Sequence, residues 1–298
     1  MLEFLKITFP VAGIETYWFL PPLVAFCISF FTSMGGVSGA FLILPFQMSV
    51  LGFTSPSVSS TNFLYNLMGI PGGVYRYIRE GRMCWPLAIV MVVGTLPGVL
   101  VGYIIRVRYL PDPKNFKFFV GIVLLYIGYR LFLSIRKNTK KNSYGESSFR
   151  IENIKYSLRR VSFDFLTNEV SFSVPLIFSL SLIIGTIGGI YGIGGGAILA
   201  PFLVSVLGLP VYVVSGAVLL GTFMTSVFGL SFYSLIPLKG GVTAPPDWLL
   251  GILFGLGGLA GMYLGARAQK KMPERAIKLI LALVILMVSG KYIIQFFR

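Results

Sequence analysis

Gly35-Gly36-Val37-Ser38-Gly39, running on to Pro45, and Gly192-Ile193-Gly194-Gly195-Gly196, running on to Pro201, are two glycine-rich interruptions in otherwise apolar sequence. An offset of 156 residues lays Gly36 on Gly192, Gly39 on Gly195, Pro45 on Pro201, and Ser49-Val50-Leu51-Gly52 on Ser205-Val206-Leu207-Gly208. The same offset carries Ser59 onto Ser215, Asn66 onto Thr222, Gly73 onto Gly229 and Tyr77 onto Tyr233. After a slip of seven residues, Gly94, Gly98 and Gly102 meet Gly257, Gly261 and Gly265. The order of break, proline, polar cluster and glycine ladder is hard to obtain by chance, and it reads as a duplicated unit. Paired interruptions at corresponding places of two apolar halves mark many transporters, whose binding site lies between the broken helices.

Composition sets the class. The 298 residues are 55% hydrophobic and 12% charged, with a mean hydropathy of +0.84, which is too few charges for the surface of a soluble protein of this size. The expected fold is an all-α polytopic membrane protein of two homologous four-segment repeats, the first segment of each broken by glycine. A net charge of +15 could suggest nucleic acid. The cations fall between apolar runs rather than on one amphipathic face, so cytoplasmic loops and anionic lipid headgroups account for them, and no nucleic-acid partner is expected. Cys27 and Cys84 build neither a disulfide framework nor a metal cluster. Histidine is absent, which removes the commonest metal ligand and the usual near-neutral proton carrier. No cofactor is expected.

Four regions follow from the apolar runs. Residues 1–20 lack the basic flank and cleavage site of a signal peptide and are expected to stay on the chain as an interfacial segment. Residues 21–135 form membrane repeat 1, residues 136–170 a basic cytoplasmic linker, and residues 171–298 membrane repeat 2. In the first repeat the segments are Pro21 to Phe53, Pro56 to Tyr77, Trp85 to Ile105, which Pro97 should kink, and Phe116 to Leu133. In the second they are Val174 to Leu209, Tyr212 to Ile236, Trp248 to Ala268 and Ala276 to Phe297. The first segment of each repeat is too long for one upright crossing of a core about 30 Å thick. A tilted broken crossing and a re-entrant hairpin both fit. Crossing eight times would divide Lys plus Arg 16 to 9 between the two faces, and re-entrant breaks would divide them 17 to 8, so the charge rule does not choose. The length of the arms and the mechanics of alternating access favour inverted repeats.

The breaks are also where chemistry is expected. Unwound backbone survives in a membrane only where protein or a watery cavity satisfies it. A helix that resumes at Gly39 or Gly196 directs N–H groups and a positive dipole end at whatever lies there, which suits an oxyanion. The candidate substrate-binding residues are Gly36, Ser38, Gly39, Ser59, Asn62 and Asn66 from the first half, and Gly192, Gly194, Gly195, Ser215, Thr222 and Thr225 from the second. Thr61 and Ser226 are further hydroxyl donors nearby. Such neutral groups bind an anion without trapping it as a buried arginine would.

Each of these signals has a plainer reading. The breaks could serve close helix packing, any one hydroxyl could bond its own helix, and Arg76, Arg79 and Arg82 could simply set topology. The glycine ladders read as packing. All ten acidic residues lie outside the apolar cores or at their ends, so no carboxylate relay sits at the midplane. Catalysis would need a nucleophile with its base, a metal cluster or paired carboxylates inside the membrane, and no such set is present, so an enzyme is not expected. A non-transporting scaffold or a permease for another small anion is the alternative. The expected partners are a small anionic substrate and lipid, and a homo-oligomer is compatible with the sequence.

Tyr191-Gly-Ile-Gly-Gly-Gly-Ala-Ile-Leu-Ala-Pro201, the serine- and threonine-rich segment after Leu51-Gly52, the Arg76-x-x-Arg79-Glu80-Gly81-Arg82 loop and the glycine ladder of the third segment together resemble the sulfite exporter TauE/SafE family, over Leu23 to Ile294. Val37, Ser38 and Cys84 stand where that family more often has glycine or an acidic residue. The resemblance implies transport of small sulfur-containing anions such as sulfite, sulfoacetate or related organosulfonates, in the plasma membrane of a prokaryote.

Overall fold

A computed structural model describes the chain except residues 1–2, 35–37, 80, 82, 137–150, 158, 166–167, 206, 208, 210, 238–240, 242 and 269–273. A hairpin of β1 (Lys6–Phe9) and β2 (Ile14–Tyr17) leads into α1 (Leu20–Met34), α2 (Ala40–Ser49), α3 (Ser57–Gly69), α4 (Pro71–Arg79), α5 (Trp85–Arg108) and α6 (Pro113–Arg136). A three-stranded antiparallel sheet, β3 (Ile151–Tyr156), β4 (Arg160–Phe165) and β5 (Asn168–Ser173), follows. The chain ends with α7 (Val174–Tyr191), α8 (Gly196–Ser205), α9 (Val211–Leu235), α10 (Trp248–Ala268) and α11 (Glu274–Phe297). Six of these helices, α5, α6, α7, α9, α10 and α11, are long and apolar enough to cross a bilayer, and the protein is a multi-pass membrane protein. Large apolar side chains such as Ile89, Val93, Ile122, Leu125, Leu256, Leu283 and Met287 stand exposed on their outer faces, as lipid contact requires. Of the six, α9 is the most enclosed, with 61% of its span buried against 28% for α11.

One reading of the sequence differs from what is observed. Pro56 to Tyr77 is two helices rather than one, because Pro71 has no N–H with which to continue the ladder of α3. The N-terminal residues form a β-hairpin whose turn is held from afar, since the Asp247 carboxylate accepts the N–H groups of Val11 and Ala12, both at 3.1 Å. By contrast α5 continues through Pro97 to Arg108, and α10 spans Trp248–Ala268 as the apolar run predicts.

The glycine ladders pair helices from opposite halves. Gly94, Gly98 and Gly102 of α5 lie against the backbone of Phe178, Leu182 and Thr186 of α7, so the two helices run parallel. Gly257, Gly261 and Gly265 of α10 lie in the same way against Pro22, Phe26 and Phe30 of α1. The 156-residue offset carries Pro22, Phe26 and Phe30 onto Phe178, Leu182 and Thr186, so each contact of one pair falls on a contact of the other. Such close approach leaves no room for a methyl group: a Cβ on Gly98 would meet the Leu182 carbonyl and lie 2.8 Å from the Thr186 nitrogen. Gly98→Ala is therefore expected to lower stability by about 1–3 kcal/mol in a thermal unfolding series. Gly290→Ala, on α11 with nothing within 4 Å of the added carbon, should be neutral or stabilising by up to about 1 kcal/mol.

The directions of the remaining contacts fix the arrangement. Helices α3 and α9 are antiparallel, with Phe63 beside Gly229 and, beyond α3, Gly73 and Tyr77 of α4 beside Leu219 and Gly216. Helices α6 and α11 are antiparallel too, with Gly121 beside Ile293 and Gly128 beside Leu286. One face of the bundle gathers the N-terminal hairpin, the start of α3 and the start of α10, joined where Thr61 Oγ1 accepts the Asp247 N–H at 2.9 Å. Ser49, the last residue of α2, bonds Tyr292 near the end of α11 at 2.6 Å on that same face. Helix α2 therefore returns to the face at which α1 begins.

Candidate functional site

The second break is built from left-handed backbone. Gly192, Gly194 and Gly195 have φ of +85°, +74° and +73°, values that side-chain-bearing residues rarely adopt. Gly192 closes α7, its N–H donating to the Gly188 carbonyl at 2.7 Å, and Gly195 opens α8 by accepting from the N–H groups of Ile198 and Leu199. Helix α3 covers the break from one side. Ser59 Oγ donates to the Ile190 carbonyl at 2.9 Å, and a Cβ on Gly192 would lie 2.9 Å from Ser59 Cα. Helix α9 covers the other side, where Thr222 lies against Gly194 and Gly196, and Ser226 against Gly194.

The first break meets the same face of α3 further along the helix, where Asn66 follows Ser59 and Asn62 at helical spacing. Gly36 lies outside the described residues. Ser38 Oγ donates to Asn66 Oδ1 at 2.9 Å and receives the Ala40 N–H, one of the free donors at the start of α2, at 3.3 Å. Gly39 sits against the Tyr65 hydroxyl, itself bonded to Ser29 at 2.8 Å. A Cβ here would stand 2.8 Å from that hydroxyl oxygen.

Asn62 joins the two. Its amide donates both protons, one to the Ala40 carbonyl at the start of α2 and one to the Gly192 carbonyl in the second break, each at 3.0 Å. Tyr191 supplies a second tie by donating to the Phe41 carbonyl at 2.8 Å. Asn62 and Asn66, one helical turn apart, are both fully buried, yet Asn62 Oδ1 and Asn66 Nδ2 have no partner among the described residues. Leaving such groups unpaired away from water is costly, and it marks the place where a polar guest would be accommodated.

The hydroxyls of α9 are committed elsewhere. Thr222 donates to Val218, Thr225 to Gly221 and Ser226 to Thr222, each reaching a carbonyl four residues back along its own helix. A hydroxyl carries one proton, so none of these groups offers a free donor. Thr225 also lies 3.3 Å from Thr95 and so faces α5 rather than the break. Ser215, near the start of α9, is half-buried beside Gly216, which packs on Tyr77. Of the candidate residues, Ser38, Gly39, Ser59, Asn62, Asn66, Gly192, Gly194, Gly195 and Thr222 come together around α3.

Sequence reading missed Gln47, which is fully buried with both amide atoms unpartnered, although a lone glutamine in an apolar run was a visible signal. It also missed the Tyr65–Ser29 and Tyr191–Phe41 ties, because nothing in the sequence points an aromatic hydroxyl at a distant backbone. Cys84 is buried at the start of α5, outside the membrane-spanning segments, and burial pushes its thiol up to about 11.

Comparison with known proteins relates the chain to a family. The family described as sulfite exporter TauE/SafE matches residues 22–292. "Probable membrane transporter protein YunE" of Bacillus subtilis (strain 168) is 20% identical over 270 residues, covering 88% of this chain and 92% of that protein. No solved structure matches.

Proposed function

Since this chain belongs to the sulfite exporter TauE/SafE family, a family of membrane transporters, we propose that it carries small sulfur-containing oxyanions, such as sulfite or an organosulfonate, through the site where its two glycine breaks meet at Asn62. The observation that carries this reading is the buried amide pair. Asn66 Nδ2 offers two N–H donors that no atom of the described residues uses, and no charged side chain stands among the residues that come together there. At this site several neutral donors hold an oxyanion without a full countercharge.

The two halves act as inverted repeats. Equivalent helices run antiparallel, α3 against α9 and α6 against α11, and each glycine ladder packs on the broken helix of the other half. Exchange of these two mirrored packings would open the site alternately to either face. With both breaks re-entrant, Lys and Arg divide 17 to 8 in favour of the face bearing the β3–β5 sheet, which puts that face in the cytoplasm and the chain ends outside. Asn62 and Asn66 are fully buried, so a guest would reach them only once the surrounding helices part.

The test is sulfite flux in proteoliposomes. Asn66→Ala removes the free donors and one bond to Ser38, so stability should fall by only about 1 kcal/mol. Flux should fall at least tenfold. Wild-type flux in Asn66→Ala would refute the site, and flux of nitrate in place of sulfite and organosulfonates would redirect the substrate class.

A further inference from the structure

Arg106, in the last turn of α5, is fully buried, and among the described residues it has no carboxylate partner. Its five donors find little to bind. NH1 donates to the Leu110 carbonyl, NH2 reaches the Thr54 carbonyl at 3.4 Å, and Nε is buried without a partner. Phe116 lies under the guanidinium plane, 3.6 Å from its carbon to the ring centroid. A buried cation with donors to spare and no countercharge is an incomplete arrangement, because removing a guanidinium from water is strongly unfavourable unless an anion accompanies it.

Its surroundings lead toward the central site. Tyr103, one turn back on α5, packs on Tyr233 at 4.8 Å between ring centroids, and the Tyr233 hydroxyl donates to the Gly189 carbonyl at 2.8 Å, one turn before Gly192. Thr54 and Leu110, which receive the guanidinium, belong to the loops on the face where the chain ends gather. Arg106 thus stands between that face and the second break.

We propose that Arg106 is a second anion-binding station, which takes a small oxyanion at its free guanidinium edge on the chain-end side of the Asn62–Asn66 site. The planar fork grips two oxygens of such an anion at once, and a lysine offers only a point charge. Binding there stands on the guanidinium alone, and only its link to flux rests on the transport reading above.

The experiment is thermal unfolding of the full-length protein in detergent, with sodium sulfite titrated against sodium gluconate at constant ionic strength. In the Asn66→Ala background a saturable sulfite-induced rise in Tm should persist. Adding Arg106→Gln should remove it, and adding Arg106→Lys should raise the half-saturating sulfite concentration about tenfold. The inference is overturned by a rise that is absent from Asn66→Ala alone. It is overturned equally by Arg106 variants that lower the anion-free Tm and titrate like their parent, since the guanidinium would then only tie Leu110 to Thr54. Should Arg106→Gln fail to assemble, Arg106→Lys decides the matter by the same shift. Unchanged flux in Asn66→Ala refutes the amide site and leaves the Arg106 titration standing, so the two failures are distinguishable.

Discussion

Replacing Gly192 by alanine is expected to abolish sulfite flux and to lower stability by about 3 kcal/mol or more. Two effects add at this position. A φ of +85° holds any L side chain in the left-handed region, at about 1–2 kcal/mol. The new methyl would press on the Ser59 carbonyl and lie 2.9 Å from Ser59 Cα, backbone atoms within α3 that have no rotamer to escape into. Relief requires α3 and the end of α7 to separate. That separation would pull the Gly192 carbonyl away from the Asn62 amide, so the strain reaches the site itself. Thermal unfolding and proteoliposome flux on the same preparation check both effects, and wild-type flux in Gly192→Ala would show that the second break need not keep this shape.

Asn62→Ala should be nearly as damaging, for a different reason. The substitution leaves the Gly192 carbonyl without its donor in a dry interior, at about 1–3 kcal/mol, and takes from the Ala40 carbonyl, at the start of α2, its side-chain partner. It also removes the only side chain among the described residues that bonds both breaks. Asn62→Asp keeps the shape but replaces two donors with a group that, ionised, only accepts, set against two carbonyl oxygens, and should be at least as severe. The contrast with Asn66→Ala is informative. Loss of flux with a large drop in Tm is the signature of the residue that holds the breaks together, whereas loss of flux with a small drop marks the residue whose donors are free for the guest.

The physics of the bilayer made much of this legible from sequence. Long apolar runs and scarce charge leave few alternatives to spanning helices, and Trp248–Ala268 coincides with the run that predicts it. The breaks were visible because glycine is the residue that tolerates left-handed backbone, and Gly192, Gly194 and Gly195 adopt it. The hydroxyls were less informative. Ser59 turns toward the second break while Thr225 turns toward α5, and composition alone assigns both the same chemistry.

The sequence by itself determined the membrane class, the two interruptions and the faces on which the glycine ladders lie, because helical period and local backbone preference are written residue by residue. Only the tertiary structure decided that each ladder seats on the broken helix of the opposite half, that one asparagine on α3 bonds both breaks, and that Arg106 is buried with no countercharge among the described residues. A periodic pattern states which side of a helix wants company but not whose. That choice belongs to backbones meeting across more than a hundred residues of chain.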